Sequence, residues 1–235
     1  MASSRHISGW LASLVLVLVV PLLRAETPPS PLRLIPDQAD LVVQVDHPRQ
    51  LVEAFTTLDL FKQLQQLDAV RDLYDSTAYQ RFFQLVTHFE KQLGQRWPEL
   101  LDQLAGGGIA LGVKIGPNPA PVVLVIQSKD AGLLQRFAKL AQELVEQELT
   151  RQEAKERPTK ITYRGVEVTR FGKELHVAVA GSSLAMSNAQ AGMEHALNLH
   201  ADGDKKSVLH SAGLAESGKL LPPDPLARLW FNLDC

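Results

Sequence analysis

The residues that could do chemistry are spread along this chain without the spacing that chemistry needs. His195 and His200 are five apart, which points them to different sides of a helix rather than to the i,i+4 pair that shares an ion. Asp202-Gly203-Asp204 offers two oxygens to calcium but lacks the rest of an EF-hand loop, so it reads as the turn that stops a helix. Ser182, in Gly181-Ser182-Ser183-Leu184, is not set in the Gly-x-Ser-x-Gly elbow of hydrolases and suits a hairpin turn instead. Gly106-Gly107-Gly108 could cradle a phosphate only if it led into a helix and a Lys-Ser/Thr pair followed. It leads into a strand and carries no such pair, so its glycines read as a tight entry into a sheet. No Gly-x-Gly-x-x-Gly follows a strand, and carboxylate spacing alone cannot place two acids across a substrate. No catalytic, cofactor-binding or metal-ligating residue is therefore assigned.

The elements around these residues are easier to read. Ile109, Leu111, Val113 and Ile115 alternate with small or polar residues, the period-2 pattern of a strand with one buried side. Gly116–Pro121, with three prolines, breaks the chain, and Val122–Ile126 is apolar throughout. That second strand is expected to be central, covered on both sides, with Leu124 buried. Ser128 or Asp130 then caps a helix whose stripe runs from Leu133 and Leu134 through Phe137 and Leu140 to Leu149. The same hairpin-then-helix order recurs later. Ile161–Phe171 reads as one strand with a possible bulge at Gly165, followed by Leu175–Ala180 and Leu184–Ser187 in a three-strand meander. His176, between Leu175 and Val177, is placed on the solvent side, and Asn188 is expected to cap the helix bearing Met193, Ala196 and Leu197. Before the first hairpin, Leu41–Asp46 reads as a strand and a helix starts near Arg49 with Leu51, Val52 and Phe55 on its buried side. Apolar stripes at Leu60–Tyr74 and Tyr79–Leu93, separated by capping residues Asp75-Ser76-Thr77, extend a helical region to Leu104.

The ends of the chain carry its address. Arg5 and His6 precede the apolar run Trp10–Val20, and Leu22-Leu23-Arg24-Ala25 closes it. A basic start, an apolar core of about 7–15 residues and a small residue at the cut make a secretory signal, here cleaved after Ala25. The alternative is an uncleaved anchor, for which the run is shorter than the ~20 residues a spanning helix needs. Residues 26–33 read as an extended Pro-rich linker, and residues 34–221 as one domain. Residues 222–235 are a breaker and a terminal strand, which either closes the sheet or opens a second unit. In the first case Leu229, Phe231 and Leu233 face the core. Net charge is −2 with 21% charged residues, so nothing marks a nucleic-acid partner. The lone Cys235 excludes an internal disulfide.

Three stretches carry a family likeness: Ile35-Pro36-Asp37-Gln38-Ala39-Asp40, Leu101–Gly108, and Tyr163–Val168 ahead of the Ala180-Gly181 turn. With the signal segment, they make the chain resemble exported bacterial proteins classed as a domain of unknown function. The resemblance spans residues 34–234 and implies a mixed α+β exported protein, often longer than this chain; it brings no catalytic residues. The sequence thus leads to an α+β class: an antiparallel-rich sheet of hairpin-then-helix units with helices on one face. The function expected is an exported, non-catalytic binding or envelope-associated module without a cofactor, its contact with the envelope made through the N-terminal apolar segment. The alternatives are an extracytoplasmic hydrolase with a site assembled from distant residues, and an apolar-ligand carrier built on Phe82, Phe83 and Phe89.

Overall fold

The structure, a computed structural model, describes residues 29–57, 72, 74–154, 157–222 and 224–232. The expected signal segment, most of the Leu60–Tyr74 stripe and Leu233 lie outside the described residues. The first element is a 3-10 turn, Pro31–Leu34, capped by the Ser30 hydroxyl, with Pro31, Leu32 and Leu34 buried. Part of the expected solvated linker is therefore core, because the turn carries Leu32 into the same buried cluster as Leu34 and Ile35.

Next come β1 (Leu41–Val45), α1 (Pro48–Thr57), α2 (Thr77–Leu93) and α3 (Trp97–Ala105). The first hairpin-helix unit is β2 (Ile109–Val113), β3 (Val122–Gln127) and α4 (Ala131–Arg151). The second holds four strands: β4 (Thr159–Tyr163), β5 (Val166–Phe171), β6 (Leu175–Ala180) and β7 (Ser183–Ser187), followed by α5 (Gln190–Asp202). A short α6 (Ala212–Gly218) and β8 (Ala227–Phe231) complete the described fold. The expected strand Ile161–Phe171 is two strands, because Arg164 and Gly165 both take positive φ (52° and 80°) and reverse the chain in a two-residue turn. No bulge is needed.

All eight strands form one antiparallel sheet in the order β4-β5-β6-β7-β3-β2-β1-β8. The α+β class stands, and β3 is central as expected. The helices, however, cover both faces rather than one. Residues i and i+1 of a strand point to opposite sides, and β7 shows the result. Ala185 packs with Met193 and Leu197 of α5, whereas Leu184 and Met186 pack with Leu133, Leu134 and Phe137 of α4. On the α5 side, Val42, Ala110, Val123 and Val125 also meet Leu34, Ile35 and Val208. In β3 this makes Val123 and Val125 buried and Leu124 only half-buried, a correction to the expectation for Leu124.

Three further expectations change for local reasons. On α1, Val52 and Phe55 are exposed rather than buried. Asn188 does not cap α5: its amide side chain instead accepts from Val122 N–H (2.7 Å) and donates to the Ala120 carbonyl (2.8 Å), joining the ends of β3 and β7. Ala189 takes the cap position, and the Ser187 hydroxyl accepts from its N–H. At the chain's far end β8 pairs with β1, Leu41 opposite Phe231 and Val43 opposite Leu229. Its facing is the reverse of that expected: Trp230 packs toward the core while Leu229 and Phe231 are exposed. Register with β1 decides this, since Val42, the inward residue of β1, lies opposite Trp230.

Candidate functional site

The side of α5 that does not meet the sheet builds the clearest concavity. Ala191, His195, Asn198 and Asp202 follow at steps of four, three and four, which align them on one helix stripe. Opposite this stripe runs the loop Pro36–Gln38. Between them lie two adjoining cavities, one of about 110 Å³ and one of about 510 Å³, both lined by Pro36, Gln38 and His195. The smaller end is apolar, floored by Ala39, Gly112, Val123 and Gly192. A Cβ on Gly192 would stand 2.5 Å from the Ser187 hydroxyl oxygen, so glycine lets α5 sit close to the strand beneath it.

The larger end is charged, lined by Asp37, Arg164, Asp202, Lys205 and Lys206. Arg164, from the β4–β5 turn, forks onto Asp202 with bonds of 3.2 and 3.1 Å and also donates to Asn198 Oδ1 (3.2 Å). Tyr163 donates its hydroxyl to the same Asn198 oxygen (3.1 Å). These bonds clamp the hairpin turn to α5 and neutralise Asp202 and Arg164 against each other. Lys205 and Lys206, held by a 3-10 turn at Asp204–Lys206, form no ion pair among the described residues. Asp37 donates its backbone N–H to the Lys206 carbonyl (3.0 Å), which fixes the lysines against the opposite wall. The groove thus has an apolar end, an imidazole in the middle and a charged end, where Lys205 and Lys206 accompany the Asp37 carboxylate and the Arg164–Asp202 pair.

A second cavity, about 350 Å³, lies at the start of α1 among His47, Arg49, Glu53, Asp102 and Lys129. Its polar groups are already partnered: Lys129 pairs with Asp102 (2.9 Å) and Arg49 with Glu53 (2.8 Å), and the His47 ring is hydrogen-bonded to Asp224 (2.7 Å). A ligand there would have to displace an ion pair. The groove beside His195 asks for no such exchange.

The residues weighed in the sequence fall as follows. His195 lines the groove, and His200 points elsewhere, its Cε1 lying 3.7 Å from where a Cβ on Gly181 would stand. Burial pushes the His200 pKa down, and the nearby Arg33 guanidinium pushes it further the same way. Burial likewise lowers that of Arg33, against an opposing pull from Asp204. His176 is 3% exposed, so its expected solvent position is corrected: it shares the α5 face of the sheet with Ala178 and lies opposite Ser187. Asp202 holds Arg164, and Asp204 accepts from His210 (3.0 Å). Among the described residues, no three His, Cys, Asp or Glu side chains gather as a metal site. Ser182 accepts from Gln127 Nε2 (2.7 Å) inside a buried network that continues through Ser183 to Arg33. In the glycine run, Gly107 N–H donates to the Gln127 carbonyl of β3 and Gly108 N–H to the Ala105 carbonyl at the end of α3, so these donors join the helix end to the sheet.

The groove was not legible as a site in the sequence. Its cations come from a 3-10 turn, its arginine from a hairpin and its histidine from a helix, so no motif spacing links them. The one available signal was the small-residue pair Ala191-Gly192 beside His195. Compared with known protein families, curated proteins and solved structures, the chain matches none.

Proposed function

We propose that this chain is an exported binding module that takes a small amphiphilic acid in the groove beside His195. The observation that carries the reading is the polarity gradient of that groove, from the Gly112–Val123–Gly192 floor to Lys205 and Lys206, which form no ion pair among the described residues. An apolar tail gains from leaving water at one end, and an anionic head gains a charge-assisted contact at the other. Pockets of this mixed kind, mostly apolar with a few convergent polar groups, are what small-molecule sites look like. Export is supported by the basic start, the apolar run and Ala25 at the N-terminus. Contact with the envelope through that apolar segment belongs to the same proposal; among the described residues no helix is long and apolar enough to cross a membrane.

The reading is tested by calorimetry against a panel of short-chain carboxylates and their methyl esters. The acids are expected to bind and the esters to bind at least about tenfold more weakly, equivalent to ~1.4 kcal/mol. A Lys205→Glu/Lys206→Glu double variant should lose the acids while keeping its thermal stability. Equal affinity for acid and ester, or turnover of the ester, would overturn the proposal.

A further inference from the structure

The sheet has two edges, and they are finished differently. At the β4 edge the two-residue turn makes Tyr163 and Val166 the closing bonded pair of the β4–β5 hairpin. Lys160 and Thr162 therefore turn their backbone groups outward, and Lys160 is tied to Glu167 (2.8 Å). A lysine on an outward edge is a usual guard against further strand pairing.

The β8 edge has no such guard. Asn232 N–H donates to the Asp40 carbonyl (2.7 Å) and Asp46 N–H to the Leu226 carbonyl (3.0 Å). Bonded pairs recur at every second residue of an antiparallel ladder. Arg228 and Trp230 therefore spend their backbone groups on β1, and Ala227, Leu229 and Phe231 turn theirs to the open side. No bond from these three to anything outside the β1 ladder exists among the described residues. Their side chains are also open, Leu229 at 61% and Phe231 at 55% exposure. Backbone groups with no protein partner among the described residues and exposed apolar side chains thus coincide on the same residues.

We propose that a second copy of this chain completes the sheet at β8, pairing antiparallel about Leu229. The strand is suited to itself. With Leu229 opposite its twin, Ala227 meets Phe231 of the other copy, small against large, and every outward-facing group finds a partner. No like charges meet. The strand's only charge, Arg228, lies on the opposite side and is held by Asp46 (3.0 Å). In the pair it comes beside Trp230 of the second copy, a favourable cation and ring arrangement. The apolar row Leu229–Val43–Leu111–Leu124 then runs unbroken across both molecules.

The test measures the mass of the purified chain by sedimentation from micromolar to millimolar concentration. A concentration-dependent dimer is expected. Leu229→Pro removes an outward N–H without touching the β1 ladder and should raise the dissociation constant at least about tenfold. Thr162→Pro, the equivalent change at the β4 edge, should leave it unchanged. Leu229→Cys in a Cys235→Ser background should cross-link to itself on oxidation, a readout that does not depend on the stability of the proline variants. A chain that is monomeric throughout, a dimer indifferent to Leu229→Pro, or an edge filled by a strand of another protein would each overturn the proposal.

Discussion

The two faces of the sheet are packed at different grain. Toward α5 the strands present Ala110, Ala178, Ala180 and Ala185, and the helix answers with Gly192 and Ala196. Toward α4 the contacts are large: Leu133, Leu134, Leu184 and Leu100, with the Phe89 and Phe137 rings 4.8 Å apart and tilted by 39°. Small residues let a helix approach until backbone and hydroxyl groups nearly touch, whereas large ones hold it off and fill the gap by interdigitating. The close face therefore has little tolerance for added atoms, and the distant face little tolerance for lost ones. Coverage differs too. The α5 side buries Val42, Val123 and Val125, while on the other side Val43, Leu111 and Leu124 remain half-buried.

The sharpest way to break this comparison is to place a charge on each side of β3. Val125→Asp puts an unpaired carboxylate in the dry face and should cost several kcal/mol, comparable to the ~5–15 kcal/mol total of a domain, so no cooperative melt is expected. Leu124→Asp, one residue away, should still melt cooperatively at a lowered temperature. Equal damage from both would mean that the two faces are equally closed. A smaller effect separates the packing grains by urea denaturation. Leu134→Ala should cost ~2–5 kcal/mol through the cavity it leaves. Gly192→Ala should cost about 1–3 kcal/mol through the contact it forces, although alanine is the better helix former. A neutral Gly192→Ala would show that α5 has room to move.

The smallest expected effect concerns charge beneath α5. His200 binds its proton less readily in the folded chain than in the unfolded one, because burial and then Arg33 disfavour the cation. The unfolded state thus holds more protons as pH drops through the ordinary histidine range near 6.5. The stability tied to neutral His200 is present above that range and declines below it. Melting temperatures from about pH 8 to about pH 5 should fall less in His200→Gln than in the unchanged chain. Parallel curves would remove His200 from the account.

Much of the architecture was legible because periodicity and turn chemistry act locally. The β2–β3 hairpin, the Ser76 and Asp130 caps and the α4 stripe all follow from neighbouring residues. What was misread depends on partners distant in sequence. His176 alternates like a solvent-facing residue, yet α5 covers that face of β6. Asn188 has the chemistry of a cap, but Val122 N–H and the Ala120 carbonyl, some seventy positions earlier, claim it. The facing of β8 was inverted because only its register with β1 decides which side is inward. The groove was missed for the same reason, since its walls meet only after the sheet has formed.

The β1–β8 ladder also sets a timetable. Leu41 lies opposite Phe231, so this pairing spans nearly the whole described chain. Closing so long a loop raises contact order, and the entropy must be lost before the contacts repay it. Of the described strands, a growing chain makes β1 first and β8 last, leaving one side of β1 without its neighbour while the strands between them are made. The hairpins β2–β3 and β4 to β7 need no such wait. Folding is therefore expected to run outward from the hairpins and finish at β8. Hydrogen exchange should report the reverse order, with β8 amides opening before those of β3 and β7.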